Sequence, residues 1–257
     1  MRFNILFNRT TKQRMLPMDY QYYISAWIYK VLKQADRDFA LFLHEKGYGQ
    51  NEAKLYKLFC FSRLNFGKPK LWKEKKLFEI SEHTISLQIS FDVTEAASNF
   101  IKGLFMSQEF YLGDKFNGID FKVAGVEVLP EPQFNETMKY RLITPWVVSI
   151  KEPDKPQPVY LSANNPRFTE LAAKHISEKF NLTRPTERPI TPEEIKLNIE
   201  SSIKRSGLIV KPNTPQETRV VGNLFNFSLT APTYIHQMIW STGISEKSST
   251  GFGWLEM

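Results

Sequence analysis

At 257 residues, the chain has room for one large domain or two small ones. Its 42% hydrophobic and 24% charged content, with 20 Phe, 10 Tyr and 5 Trp, excludes a largely disordered chain. A formal charge of +7 favours a polyanionic partner, and a single cysteine excludes an internal disulfide framework or a cysteine-rich zinc site.

In chain order, Phe3, Ile5 and Phe7 alternate with other residues and predict a first strand. Helical spacing follows over residues 20–33, with Asp19 placed to cap it. Ala35-Asp36 interrupts the pattern, and a second short helix carries Phe39, Leu41 and Leu43 up to His44 before Gly47 and Gly49. Residues 58–66 read as a strand, with residues 84–91 as its hairpin partner and residues 71–78 as an extended excursion between them. A helix over 95–106 and an alternating strand over 121–129 complete a β, α, β-hairpin, α, β order.

Pro130 and Pro132 mark a division into 1–132 and 133–257. The second half begins with a strand over 140–148 and a helix over 168–180. A proline- and charge-rich surface connection follows over 182–192. Residues 195–210 are compatible with a short helix or with extended structure, and residues 219–229 read as one strand. A short helix from Pro232 to Trp240 then leads into a glycine-rich segment, 243–253, and a terminal strand. The fold class expected is α+β, with tandem ferredoxin-like (RRM-like) domains.

Glycine lets backbone approach a ligand closely, and Ser, Thr and Lys supply donors for phosphate oxygens. The segment has no Gly-Lys-Ser/Thr after four variable residues, so it is not a Walker loop, and it follows a helix, unlike a dinucleotide fingerprint. Residues 243–253 resemble the C-terminal glycine-rich signature of the CRISPR-associated, repeat-processing endoribonucleases of the RAMP superfamily. Residues 21–29, Leu43-His44 and residues 57–62 resemble the same family, so the resemblance spans the chain. The family loop usually begins Gly-x-Gly, and here the third position is Ser245.

The resemblance implies binding of CRISPR repeat RNA, the crRNA precursor, and one cut per repeat without metal or other cofactor. The upstream 2′-hydroxyl would attack the scissile phosphate, leaving a 2′,3′-cyclic phosphate and a 5′-hydroxyl. It also leaves open a non-catalytic RNA-binding subunit of a CRISPR effector complex, and a homodimer. No Asp, Glu or His cluster has convincing metal spacing. The N-terminal apolar run is too short for a signal peptide and no stretch approaches the ~20 apolar residues that span a bilayer, so a cytoplasmic, membrane-free protein is expected.

Cleavage of this kind needs a base, an acid and positive charge. Of His44, His83, His175 and His236, the first ends a short helix and matches the family histidine that follows a leucine; His236 is the reserve. Tyr29 resembles the family tyrosine. On one straight helix it would lie ~22 Å from His44, so a break at Ala35-Asp36 is required for them to meet. Lys57 is the expected source of charge, with Lys54 as its alternative. For RNA binding, the loop contributes Gly243, Ser245, Lys247, Ser248, Ser249, Gly251 and Gly253, joined by Lys204, Arg205, Lys211 and Arg219. Lys68, Lys70, Lys73, Lys75 and Lys76 form a second basic set.

Overall fold

The computed structural model describes residues 1–49, 54–155, 157–184, 188–212 and 214–257. Of the surface connection expected over 182–192, residues 185–187 lie outside the described residues.

The first half contains β1 (Arg2–Arg9), β2 (Met15–Pro17), α1 (Tyr20–Ala35), α2 (Arg37–Glu45), β3 (Phe59–Phe61), β4 (Lys70–Trp72), β5 (Leu77–Glu79), β6 (Thr84–Phe91), α3 (Thr94–Met106), β7 (Glu109–Gly113) and β8 (Gly118–Leu129). Its main sheet has the order β3-β6-β1-β8-β7, with every pair antiparallel. Strand side chains alternate between faces, so Phe3, Ile5 and Phe7 all enter the core. There Phe7 meets Trp27 of α1 edge-on at 5.5 Å, and Trp27 stacks on Phe110 of β7 at 4.5 Å.

Two expectations need correction. Residues 71–78 are not an excursion of the hairpin: β5 pairs with β2 on one side and β4 on the other in a separate three-stranded sheet, where Leu16 faces Phe78. The partner strand β2 has only three residues and ends on Pro17, too little for a period to show. Strand β7 was also unforeseen. It buries Phe110 and Leu112 but spans five residues, too few to separate from the end of α3.

The second half contains β9 (Thr137–Leu142), β10 (Ser149–Ile150), β11 (Val159–Tyr160), α4 (Phe168–Thr183), β12 (Lys196–Ile199), β13 (Lys204–Val210), β14 (Thr218–Leu224), β15 (Asn226–Thr230), α5 (Thr233–Thr242) and β16 (Leu255–Glu256). Its four-stranded sheet runs β12-β15-β9-β16. In both halves the first strand lies between the last and the third, with the second at the edge beyond the third. That order makes the chain two ferredoxin-like units in tandem, each with its own apolar core.

Here too the elements depart from simple periodicity. The strand expected over 140–148 stops at Leu142; Pro145, which has no N–H, precedes an isolated bridge from Trp146 to Asn223. Residues 196–199 and 204–210 are extended, after a 3-10 turn at Pro192–Glu194. The single strand expected over 219–229 is two, because the chain leaves pairing at Phe225 and β14 turns away to pair with β13.

Several contacts join the halves. Arg2 of β1 donates to the Trp240 carbonyl at 2.8 and 3.0 Å and to the Leu255 carbonyl at 2.9 Å. Its guanidinium lies 3.2 Å from the Trp240 ring centroid and 4.0 Å from that of Trp254, and burial pushes its pKa down to about 9. Arg184, just past α4, pairs with Asp92 at 2.5 Å. The glycine-rich segment packs on β3, as described below. No helix among the described residues is long and apolar enough to cross a membrane.

Candidate active site

Asp36 divides the helical run into α1 and α2. Its backbone is extended (φ −154°, ψ 108°), and its side chain accepts the Phe39 N–H at 2.9 Å, capping α2. By contrast, Asp19 occupies the cap position of α1 without a side-chain hydrogen bond there. The fold-back at Asp36 sets the Tyr29 ring edge-on to His44, with centroids 5.0 Å apart and planes at 84°. His44 is exposed and Tyr29 half-buried. Burial pushes the Tyr29 phenol up to about 12, partly offset by its hydrogen bond to Ser249. Both side chains line a groove of about 410 Å³ that also carries Lys30, Lys33 and Arg37.

Lys57 approaches from the segment leading into β3. Its ammonium donates to the His44 carbonyl at 2.7 Å and the Lys46 carbonyl at 3.0 Å, groups left open at the C-terminal end of α2. Burial lowers its pKa from the ordinary lysine value. Lys54 instead pairs with Glu178 of α4. Of the two lysines, Lys57 is the one held against the peptide of His44.

The glycine-rich segment is a packed element with one open side. Gly251 has φ +85°, and a Cβ there would fall 2.6 Å from the Phe61 ring of β3, so only glycine fits. Gly243 and Gly253 are likewise buried. Ser245 is 2% exposed; its hydroxyl accepts the Val147 N–H at 3.0 Å, and Ser248 donates to the Ser245 carbonyl at 2.7 Å. The partly exposed positions are Glu246, Lys247, Ser249 and Thr250.

Helix α1 grips this segment along one stripe. Gln21 donates to the Gly251 carbonyl at 3.4 Å and Ser25 to the Ser249 carbonyl at 2.8 Å, and the Tyr29 phenol lies beside Ser249 one turn further on. Residues four apart share a helix face, which explains why polar Gln21 and Ser25 are buried in an otherwise apolar surface. From the other side, buried Lys179 of α4 donates to the Gly243 carbonyl at 3.0 Å, and burial pushes its pKa down to about 8.

Residues 129–257 match the family described as CRISPR associated protein Cas6, C-terminal, and residues 15–127 match CRISPR-associated protein Cas6, N-terminal. The chain belongs to the Cas6 family. It is similar to the CRISPR-associated endoribonuclease Cas6 1 of Methanocaldococcus jannaschii, with 24% identity over 95% of this chain and 88% of that protein. It also matches a putative CRISPR-associated endoribonuclease-like protein Cas6 of Pyrococcus furiosus, with 26% identity over 77% of each chain. A solved structure of a Cas6-related gene product from Pyrococcus furiosus superposes with a TM-score of 0.81 at 22% identity, covering 100% of this chain and 97% of that one.

In this Cas6-family chain the remaining histidines sit elsewhere. His236 is fully buried, with Nδ1 3.0 Å from the Tyr140 hydroxyl and Nε2 3.1 Å from the Glu136 carbonyl, so the reserve candidate is a satisfied core histidine. His175 is buried on α4, and His83 is exposed before β6. Lys204, Arg205 and Arg219 lie on the β13–β14 hairpin, and Lys211 just past β13. Arg205 and Arg219 share a face, because Arg219 pairs with Ile209 and alternate residues point alike; Lys204 points the other way. Lys75 and Lys76 line the same cleft of about 460 Å³ as Arg219, together with Asp19 and Asp114. The periodicity reading passed over Gln21, Ser25 and Lys179. The four-residue spacing of Gln21, Ser25 and Tyr29 was a readable signal for the first two; nothing local marks Lys179.

Proposed function

We propose that this chain is an endoribonuclease that cuts CRISPR repeat RNA, with His44 and Tyr29 at the cut. The observation that carries this reading is their edge-on contact beside the glycine-rich segment, which needs the break at Asp36. It is supported by the family and by a relative named as an endoribonuclease. The 2′-hydroxyl upstream of the cut attacks phosphorus, the bond to the 5′-oxygen breaks, and a 2′,3′-cyclic phosphate and a 5′-hydroxyl result. His44 moves the proton, Tyr29 orients the attacking hydroxyl or the phosphate, and Lys57 supplies positive charge for the transition state. The side chains of the chain itself provide these functions, so a metal ion is not required.

RNA contact is assigned to the open side of the glycine-rich segment, at Lys247 and Ser249, and to the basic residues of the β13–β14 hairpin. The buried glycines, with Ser245 and Ser248, shape the segment. The test is incubation of purified protein with repeat RNA in EDTA, followed by analysis of the RNA ends. Cutting that leaves cyclic phosphates and is lost in His44→Ala supports the proposal. Tight binding without cutting overturns it in favour of a non-catalytic RNA-binding subunit.

A further inference from the structure

Helix α1 buries one hydroxyl that its own backbone does not use. A serine or threonine inside a helix commonly donates to the carbonyl three or four residues back. Ser177, Thr183, Ser241 and Thr242 all do so, at distances between 2.6 and 3.0 Å. Ser25 instead donates out of its helix, to the Ser249 carbonyl at 2.8 Å, across 224 residues of sequence. It is only 6% exposed, so the bond is shielded from water.

The bond lies between two parts of the candidate site. Ser25 stands one turn before Tyr29 on the same face of α1. Ser249 is on the open side of the glycine-rich segment. The remaining contacts close a ring around this strut. Gln21, one turn earlier on α1, donates to the Gly251 carbonyl at 3.4 Å. On β3, Phe61 fills the space that a Cβ on Gly251 would take. Phe59, two residues away on the same strand face, meets the Tyr29 ring at 5.7 Å. Helix, loop and strand thus touch in pairs. Apolar contact is non-directional and leaves the loop free to slide along α1. A short, directional hydrogen bond fixes where along the helix it stops.

We infer that Ser25 is a positioning residue for the cut: by holding the Ser249 carbonyl one turn from Tyr29, it sets RNA carried on the open side of the glycine-rich segment against the Tyr29–His44 pair. The inference rests on the reading of RNA as substrate and of Tyr29 as a residue at the cut. Ser25 is buried and touches no RNA itself, so its loss costs rate and spares affinity.

The experiment uses the full-length wild type, Ser25→Ala, Tyr29→Phe and the double variant. Single-turnover cutting of labelled repeat RNA is measured at saturating protein. Affinity is measured separately, on repeat RNA with a 2′-deoxynucleotide at the mapped cut. Ser25→Ala removes one oxygen and leaves the helix face otherwise intact, and thermal midpoints check that each variant is folded at the assay temperature. The expected rate is lowered roughly 10- to 100-fold at unchanged affinity, the scale of a small misplacement of reacting groups. In the Tyr29→Phe background the same substitution adds little further loss, because it acts through Tyr29. Three results would leave Ser25 as a support of the fold alone and overturn the inference while the proposed activity stands. These are a wild-type rate in Ser25→Ala, a loss lying wholly in affinity, or single-variant losses that multiply fully in the double variant. If the wild type does not cut the RNA, both readings fall.

Discussion

Lys57 donates to the carbonyl of His44 at 2.7 Å, tying the strand-entry segment to the helix end that presents the imidazole. A lysine at a helix C-terminus interacts favourably with its open carbonyls and dipole. Lys57→Met is therefore expected to slow RNA cutting and to loosen α2 at once. Hydrogen exchange over residues 42–47 reads the second effect. Faster cutting-site exchange with an unaltered cutting rate would limit Lys57 to holding the helix end.

His44 is exposed, at the C-terminal end of α2. His44→Ala is expected to cut the single-turnover rate roughly 10²- to 10⁴-fold, the usual range for a positioned acid or base. RNA affinity and thermal midpoint stay as in the wild type. An unchanged rate would remove His44 from the chemistry.

Ser245 stands where the family loop usually has glycine, and its hydroxyl is the acceptor for the buried Val147 N–H. Ser245→Gly strands that donor and is expected to cost about 1–3 kcal/mol of unfolding free energy in urea. RNA affinity should not fall, because the side chain faces the protein interior. A loss of affinity with stability intact would reverse that assignment.

Arg205 and Arg219 project from one face of the β13–β14 hairpin. If each meets one phosphate, replacing either by Ala lowers the slope of log K against log salt by about one, uniformly across RNA sequences. Salt titration of the single variants checks this, and an unaltered slope would take the hairpin out of the RNA path.

Acid should destabilise the fold through its buried histidines. His175 is held neutral with its pKa pushed down to about 3, and burial lowers that of His236 as well. Unfolded, each takes up a proton below about pH 6.5. The unfolded state then binds more protons than the folded one, so stability falls as pH drops from about 6.5 towards 3. Urea midpoints between pH 7.5 and 4 measure the trend, and His175→Phe should flatten it.

The long elements were legible because their apolar residues repeat: Phe3, Ile5 and Phe7 in β1, and the core face of α1. The break at Asp36 was legible too, since an aspartate after a helical run is a ready cap for the next. What escaped was set by partners distant in sequence. β2 and β7 are strands only because β5 and β8 lie beside them, and β14 parts from β15 only because β13 offers an edge. At the candidate site, residue types pointed to Tyr29, His44 and Lys57, but only the fold gives Lys57 its bonds to α2 and Lys54 its pairing with Glu178. The glycines were read by their spacing; that Gly251 faces β3 depends on Phe61, nearly two hundred residues away.

The guanidinium of Arg2 has a consequence for assembly during synthesis. Its acceptors are the carbonyls of Trp240 and Leu255, and its second aromatic neighbour is Trp254. Those carbonyls are made 238 and 253 residues after Arg2, so strand β1 leaves the exit tunnel with a cation whose binding place does not yet exist. The Arg2 contact of the first unit thus forms only after nearly all of the second unit has been made, and a ribosome stalled shortly before Trp240 would hold β1 with its cation unengaged.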